Sequence, residues 1–301
     1  MKILHLLTWR LNDVSNNLER IKEQGFTHIQ LSPIQKTKEV GPWWLLYQPC
    51  SLTIGNQQIG TKEDLINLCR KAHSLGLNII QDIVLRHVAS DNWDKNKPHH
   101  LVDQELLKFV VIRPDLNNDN DRHQVTDFNC GMPMLNYEDP EYQKLCIRFL
   151  DELKSCGVDM FRLDQLKHYR LPEENGTFLS NVMKRYDSYG EAIFCSNDIL
   201  EKMAEIIKVG TNGNIRDKYK MITWYESHDT YLNHGNLGYT KSMPTWMCIN
   251  EYRIICENFP NALFYARPIE DTHEDIWARP EIKEININSE RKWSRNILEF
   301  K

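Results

Sequence analysis

Residues 157–168 carry the strongest chemical pattern in the sequence, in which Arg162 and Asp164 are separated by one residue. Side chains two positions apart share one face of a strand, so the guanidinium would lie beside the carboxylate. A neighbouring positive charge favours the ionised form of a carboxylate. An ionised and fixed aspartate is a nucleophile suited to attack on the anomeric carbon of a sugar.

Two further acidic residues follow other apolar segments: Glu191 comes after Tyr189 and Gly190, and Asp229 comes after His228. A carboxyl group among like charges has a raised pKa and stays protonated, which suits Glu191 to the role of general acid. Asp229 can accept hydrogen bonds from sugar hydroxyls and oppose a developing positive charge. This division of labour is typical of retaining glycosidases.

Short apolar runs alternate with longer amphipathic stretches, which predicts parallel strands joined by crossover helices. Seven strands are predicted at 3–7, 28–31, 77–85, 160–163, 192–195, 221–225 and 262–265, and a short eighth at 206–209. Helices are predicted at 16–23, 62–75, 141–155, 178–185 and 245–258. Eight such units are typical of a closed (β/α)8 TIM barrel, whose strands deliver the chemistry at their carboxyl ends.

One connection is too long for a simple turn. Residues 88–136 are polar and rich in Asn, Asp and Pro, and we expect them to form a short irregular excursion after strand three, over the barrel mouth. Residues 1–301 are otherwise predicted to be a single catalytic barrel, because too few residues follow strand eight for a C-terminal β-sandwich. We expect the tail, residues 274–301, to cover part of the surface that such a domain would protect.

These motifs, in this order, resemble the α-amylase family of glycoside hydrolases (glycoside hydrolase family 13). Residues 157–168 match the family's nucleophile motif, G-x-D-x-x-R-x-D-x-x-K-H, at every fixed position. Residues 82–87, 189–191 and 228–229 are similar to its strand-three, acid and strand-seven motifs, and 25–34 and 43–49 to its upstream segments. The resemblance implies a compact, retaining, endo-acting hydrolase of α-1,4-glucans such as starch, glycogen or maltodextrin.

The resemblance also implies a role for each matched residue. Asp164 would be the nucleophile that forms a covalent glycosyl intermediate, Glu191 the acid/base, and Asp229 the transition-state stabiliser. Arg162 would hold Asp164 ionised. The other predicted substrate-binding residues would bind hydroxyls of the reacting glucose, stack on sugars or contact the leaving-group side: His87, His228, Tyr47, Trp44, Gln48, Lys167 and His168.

The sequence departs from the family at two positions expected to bind calcium. The family's ligands include an Asn just before the strand-three His and an Asp in a segment resembling L-P-D-L-N, where this chain has Arg86 and Met134. A thioether is a poor ligand for a hard cation, and an arginine repels one. We therefore expect no metal, with the charge of Arg86 in place of the ion. Chloride binding is not expected either, because Ser227 stands where chloride-binding relatives have an Asn.

Several of these residues have an alternative, purely structural interpretation. They would then tie the barrel ends together, form a buried ion pair or belong to the aromatic core: Asp82, Asp159, Arg162 with Asp164, Trp43, Trp44 and Tyr47.

Composition excludes several classes of partner. The net charge is −5 without a basic run, which argues against nucleic-acid binding, and no apolar stretch is long enough to span a membrane.

The eight cysteines are scattered without metal-type spacing, and we expect reduced thiols. With no signal-peptide pattern at residues 1–9, we expect a cytoplasmic protein. The oligomeric state is not predicted.

Four alternatives to an endo-acting hydrolase remain open. The same acids would serve an exo-acting oligosaccharide hydrolase or an α-glucan transglycosylase. A non-catalytic α-glucan-binding protein is less favoured, because all three acids are present. A metal-dependent hydrolase is weaker still, because the sequence has no H-x-x-x-H or H-x-H pair.

Overall fold

The computed structural model describes residues 1–233 and 238–267, with only the backbone described at Thr245. Eight parallel strands form a single sheet. The strands are β1 (Lys2–Leu6), β2 (His28–Leu31), β3 (Asn78–Ile83), β4 (Met160–Leu163), β5 (Ser188–Glu191), β6 (Lys208–Gly210), β7 (Met221–Ile222) and β8 (Ala262–Tyr265). Each strand from β1 to β6 pairs with the next along the chain, and β8 lies beside β1.

The sheet closes on itself into a barrel. β8 pairs with β1, with Ala262 opposite Lys2, and Thr223, just after β7, forms a parallel bridge to Ala262. Leu263 N donates to the Thr223 carbonyl over 2.9 Å, and Thr223 N donates to the Asn261 carbonyl over 3.2 Å. The predicted (β/α)8 TIM barrel is therefore confirmed.

Helices cover the outside of the barrel, and their sequence signals explain where the long ones begin. Thr61 and Asp64 form a reciprocal capping box at the start of α3, and Asp139 caps α6, whose first residue is Pro140. The helices are α1 (Leu11–Asn16), α2 (Leu18–Glu23), α3 (Lys62–Ser74), α4 (Gln104–Leu107), α5 (Arg122–Asp127), α6 (Pro140–Ser155), α7 (Phe178–Asn181), α8 (Asn197–Ala204), α9 (His228–Leu232) and α10 (Thr245–Asn258).

The predicted fifth strand, residues 192–195, is wrong. The strand is Ser188–Glu191, and the apolar run after it leaves the barrel, with Phe194 60% exposed. The true strand lacks an apolar signature because close packing selects small residues: a Cβ on Gly190 would lie 2.6 Å from the Leu166 side chain. The predicted eighth strand, 206–209, corresponds to β6 and lies two residues too early. The predicted helix at 16–23 is divided between α1 and α2.

The connection after β3 is the longest within the barrel. It contains α4, α5 and a two-stranded antiparallel hairpin of Val110–Val111 and Met134–Leu135, and it leads into α6. A second hairpin, Gln35–Thr37 with Pro49–Ile54, follows β2 and encloses the 3-10 helix Trp43–Tyr47. Both excursions leave from the carboxyl ends of strands, where the predicted site lies.

In the described residues, no helix has the length and apolar character needed to cross a membrane. The expected role of residues 274–301 lies outside the described residues.

Candidate active site

Arg162 lies at the centre of a cluster of carboxylates from three neighbouring strands. Its Nη1 donates to Asp164 Oδ1 over 2.8 Å and to the two oxygens of Asp82 over 2.9 and 3.1 Å. Its Nη2 donates to Glu191 Oε2 over 3.3 Å. The register explains this arrangement, because Arg162 lies opposite Asp82 in β3, and Leu163 lies opposite Gly190 in β5. One buried guanidinium therefore joins all three acids.

Burial raises the pKa values of the acids around this guanidinium. It raises the pKa of Glu191 to about 8; the negative charges of Asp229 and Asp164 contribute, and Arg162 opposes the shift. Burial raises the pKa of Asp82 to about 7, again against the effect of Arg162. Burial also raises the pKa of Asp229. Glu191 therefore carries a proton at neutral pH, as a general acid must.

Asp229 is positioned by the first turn of α9, which is separated from the end of β7 by five residues. The Ser227 hydroxyl caps this helix by accepting a hydrogen bond from Thr230 N over 3.3 Å. One turn later, Asn233 Nδ2 donates to Asp229 Oδ1 over 2.6 Å. The other oxygen of Asp229, Oδ2, lies 3.4 Å from Nε2 of His228.

Aromatic rings form a wall beside these acids, with His228 at its centre. The ring of Tyr47 stacks on His228 at a centroid distance of 5.3 Å. Trp43 and His5 contact the same imidazole by their edges, at 5.6 and 5.2 Å. Burial lowers the pKa of His228 well below its usual value, so the ring is neutral and offers one donor and one acceptor.

Tyr47 links this wall to the carboxylate cluster. Its hydroxyl donates to Asp82 Oδ2 over 2.9 Å, and its carbonyl lies 2.8 Å from Nε2 of His87. The Tyr47 side chain is buried. Asp82, which the sequence left undecided between a structural tie and a site residue, thus holds both Arg162 and Tyr47 in place.

Residues 10–235 match the family described as the alpha amylase catalytic domain. The chain belongs to the alpha-amylase family. It is 34% identical to an alpha-amylase of Clostridium acetobutylicum over 94% of this chain and 42% of that protein. It is 25% identical to an alpha-amylase of Butyrivibrio fibrisolvens over 96% of this chain and 38% of that protein. It therefore spans about two-fifths of the length of these curated relatives.

Solved structures of the alpha-amylase family share this fold. A variant of alpha-amylase I from Eisenia fetida, in complex with maltohexaose, has a TM-score of 0.74 to this chain. The match covers 99% of this chain and 76% of that one at 16% sequence identity. An alpha-amylase from Geobacillus thermoleovorans, in complex with acarbose, has a TM-score of 0.66 at 19% identity.

The remaining predicted substrate-binding residues fall into two environments. Trp44 is 41% exposed beside the buried Tyr47, whereas Gln48 is half-buried and its Oε1 has no partner among the described residues. Lys167 Nζ lies 3.7 Å from Asp119. His168 is buried, and its Nδ1 lies 2.8 Å from the Val125 carbonyl. Trp44 and Lys167 thus have surface available for a ligand, whereas the buried His168 holds its loop through the contact with Val125.

The calcium ion that the alpha-amylase family resemblance implies does not fit the residues at its expected position. The side chain of Met134 is buried, and its residue bridges to His87. The position before His87 holds the fully buried guanidinium of Arg86. Arg86 and Met134 thus place a cation and a thioether where a calcium site needs two oxygen donors. Within 1–233 and 238–267, no group of three or more His, Cys, Asp or Glu side chains could hold a metal.

Sequence reasoning missed two residues that support the site. Asn233, which binds Asp229, has no motif of its own. Arg267 lies two residues after the end of β8 and forms a buried bidentate pair with Glu226, over 2.8 and 2.6 Å. It also donates to the carbonyls of Met243 and Thr240 over 2.7 and 3.1 Å. An arginine at the end of an apolar strand is the signal that could have found it, since Arg162 has a similar setting.

Proposed function

We propose that this chain is a retaining glycoside hydrolase that cleaves α-1,4-glucans, with Asp164 as nucleophile, Glu191 as acid/base and Asp229 as transition-state stabiliser. The observation that carries the proposal is that Nη1 and Nη2 of Arg162 bind Asp164 and Glu191 over 2.8 and 3.3 Å. Two acids held by one guanidinium lie close together. Retaining glycosidases need a separation of about 5–5.5 Å, whereas inverting ones need about 6.5–9.5 Å to admit a water.

The chemistry would proceed in two steps. Glu191, protonated because burial raises its pKa to about 8, gives its proton to the glycosidic oxygen while Asp164 forms a bond to the anomeric carbon. The leaving chain departs with that proton. Glu191, now a carboxylate, takes a proton from water, which attacks the anomeric carbon and breaks its bond to Asp164. Asp229 and the neutral His228 would bind hydroxyls of the reacting sugar.

An α-glucan substrate is supported by the relatives and by the surface beside the acids. The two curated relatives bear the name alpha-amylase, and the Eisenia fetida protein was solved with maltohexaose. In this chain, Trp44 offers an exposed indole beside Tyr47, and Lys167 follows Asp164 by three residues; the family resemblance implies that they contact sugars on opposite sides of the scissile bond. Sites on both sides of the scissile bond favour internal cleavage of a polymer, so we propose endo-acting hydrolysis.

The first test replaces the two reacting acids. Asp164→Asn and Glu191→Gln should each lower kcat on maltoheptaose or soluble starch by at least about a thousandfold, because each removes a group required for bond cleavage. Asp159→Asn is the matched control: Asp159 precedes the same strand at its opposite end and pairs with His73 over 2.9 Å. Full activity of Asp164→Asn would contradict the proposed nucleophile.

Product analysis separates the alternatives. Endo-acting hydrolysis of maltoheptaose should give several shorter products from the first time points. A single short product indicates exo-action, and products longer than the substrate indicate transglycosylation by the same acids. If the wild-type chain binds maltoheptaose without turnover, the non-catalytic interpretation replaces ours.

We also propose that the protein works in a reducing compartment such as the cytoplasm. All eight cysteines lie among the described residues as free thiols, and burial raises the pKa of several of them, including Cys69 and Cys146, to about 12. Such thiols are inert and act as small apolar side chains. Activity and melting temperature should therefore be unchanged by a reducing agent such as dithiothreitol.

A further inference from the structure

Arg86 is a buried cation that is held by backbone carbonyls. Its Nε donates to the carbonyl of His168 over 3.1 Å. Its Nη2 lies 3.4, 3.2 and 2.8 Å from the carbonyls of Val125, Thr126 and Phe128. No carboxylate within the described ranges lies at salt-bridge distance from it, and burial lowers the pKa of the guanidinium. Its positive charge is balanced by dipoles, as the charge of a bound metal ion would be by carbonyl ligands.

The carbonyls come from two segments that meet beside the active site. Val125 and Thr126 belong to the last turn of α5, whose carbonyls have no partner within the helix, and Phe128 follows it. His168 belongs to the loop after β4, four residues beyond Asp164. A cation at the carboxyl end of a helix is electrostatically favourable. Arg86 therefore joins the excursion to the loop that carries Lys167.

Further contacts link the same two segments, which we call the excursion junction (residues 122–128 and 167–174). Arg122 pairs with Glu174 over 2.7 Å and donates to the carbonyl of Lys167. Arg170 pairs with Asp127. These two arginines are partly exposed, at 23% and 32%, whereas Arg86 is 1% exposed. Arg86 thus holds the interior of the junction and the others hold its rim.

We propose that Arg86 is a positioning residue that takes the place of a divalent cation at the excursion junction, so that the loop after β4 is held without metal. The proposal needs no assumption about the reaction, except that the loop positions Lys167 for the proposed substrate. Thermal measurements test the first part and kinetic ones the second. A failure of the proposed function would therefore leave the thermal results interpretable.

The thermal test compares the response of four chains to calcium. The wild-type melting temperature should change by less than about 1 °C on treatment with EDTA and on subsequent addition of calcium. The double variant Arg86→Asn/Met134→Asp introduces the two residue types that the family uses as ligands, and calcium should raise its melting temperature by about 5 °C or more. Met134→Asp alone is the matched control, because the guanidinium would still exclude the ion. Arg148→Asn removes an exposed arginine and should not respond.

Two outcomes of this test would overturn the proposal. One is a wild-type chain that EDTA destabilises and calcium restores. The other is a calcium response of Met134→Asp equal to that of the double variant, because the guanidinium would then lie away from the cation position. A double variant that melts at the same temperature with and without calcium counts against it as well.

Chemical rescue tests the positioning role and does not depend on the double variant folding. Arg86→Ala should lower kcat/KM for maltoheptaose about tenfold, mainly through KM, because the loop that carries Lys167 loses its inner support. Millimolar guanidinium chloride should recover at least half of the loss, whereas sodium chloride at the same concentration should not. Arg86→Lys should keep part of the activity, since an ammonium supplies charge but fewer donors. Wild-type kinetics in Arg86→Ala, or equal recovery by both salts, would refute the role.

Discussion

Two fully buried arginines stand at the ends of neighbouring strands, and they have opposite surroundings. Arg162 faces the carboxylates of Asp82, Asp164 and Glu191, which raise its pKa well above the usual value although burial opposes them. Arg86 faces carbonyls, and burial lowers its pKa. Arg162 thus balances the charges of the acids at the candidate site, whereas Arg86 holds backbone segments together.

The free energy of folding lost on removing each arginine depends on which groups are left without a partner. Carboxylates left without a partner in a buried site cost about 3–5 kcal/mol, because their charges lose compensation. An unsatisfied carbonyl costs about 1–3 kcal/mol, and two of the Arg86 acceptors retain other partners: Thr126 O accepts from Tyr137, and Val125 O contacts His168. Arg162 should therefore matter more for stability and far more for chemistry.

The largest expected effect is the difference in activity between Arg162→Met and Arg86→Met. Arg162→Met should lower kcat by at least about a thousandfold, because it removes the group that organises Asp164 and Glu191. Arg86→Met should lower kcat/KM about tenfold, because it only loosens the loop. Steady-state kinetics on maltoheptaose measure both, with circular dichroism to verify folding. Equal losses in the two variants would contradict the division between charge and positioning.

The features that sequence reasoning predicted are those with a local pattern. The barrel followed from repeated alternation of strands and helices, and the three acids came from motifs with fixed spacing. The true β5 escaped prediction, because Gly190 is selected by the Leu166 side chain that packs on it, a contact 24 residues away in the chain. Alternation favoured the apolar run after it instead.

Partners of the site residues could not be predicted for the same reason. The bond between Tyr47 and Asp82 spans 35 residues, and that between Arg267 and Glu226 spans 41. Neither has a spacing rule. His168 carries a family motif, yet its burial against Val125 depends on how the excursion folds back. Motifs predicted which acids meet at the candidate site, whereas the contacts that hold them depend on tertiary structure.

The second effect is a pH dependence that should distinguish the two arginines. Glu191, the proposed acid, can donate a proton only when it is protonated, and burial raises its pKa to about 8. The kcat/KM of the wild type should therefore fall about tenfold per pH unit above this value. Arg162 lowers the pKa of Glu191, so in Arg162→Lys, which holds the carboxylate less well, the fall should begin at higher pH. In Arg86→Lys it should begin where it does in the wild type.

Rate profiles from about pH 5 to about pH 10 check this prediction. Lys167→Met provides a finer control, since Lys167 also lowers the pKa of Glu191. Its loss should shift the fall in kcat/KM to a slightly higher pH. A wild-type profile that stays flat to the end of this range would refute the assignment of Glu191 as the acid.

The third effect is on stability and depends on which partners titrate. Asp82 and Glu191 have folded-state pKa values raised to about 7 and about 8, so the penalty for burying their charges is absent below their unfolded pKa values, grows as pH rises toward the folded values, and is complete above them. Arg162→Met removes the charge that offsets this penalty. Its loss of melting temperature should therefore be larger near pH 9 than near pH 5, by about 5 °C.

Arg86→Met should show nearly the same loss at both pH values, because its acceptors are backbone carbonyls and the carboxylate that acts on it, Asp127, has a lowered pKa and is ionised at both. Differential scanning calorimetry of the three chains measures the contrast. A loss in Arg86→Met that grew with pH as steeply as that of Arg162→Met would mean that acids lie within reach of both guanidinium groups, and the distinction between them would fail.

The smallest expected effect is that of chloride, which some relatives bind beside the strand-four arginine. Both terminal nitrogens of Arg162 already donate to carboxylates, so an anion would have to compete with three negative groups. The Ser227 hydroxyl oxygen is occupied by the Thr230 N–H. Replacing sodium chloride by sodium acetate at constant ionic strength should therefore change kcat by less than about twofold, within general salt effects. A larger activation that saturates with chloride would show that an anion, as well as the three acids, balances the charge of Arg162. In that case carboxylates alone would not balance the charge of Arg162. The difference between Arg162 and Arg86 would then lie in how tightly the protein encloses each guanidinium.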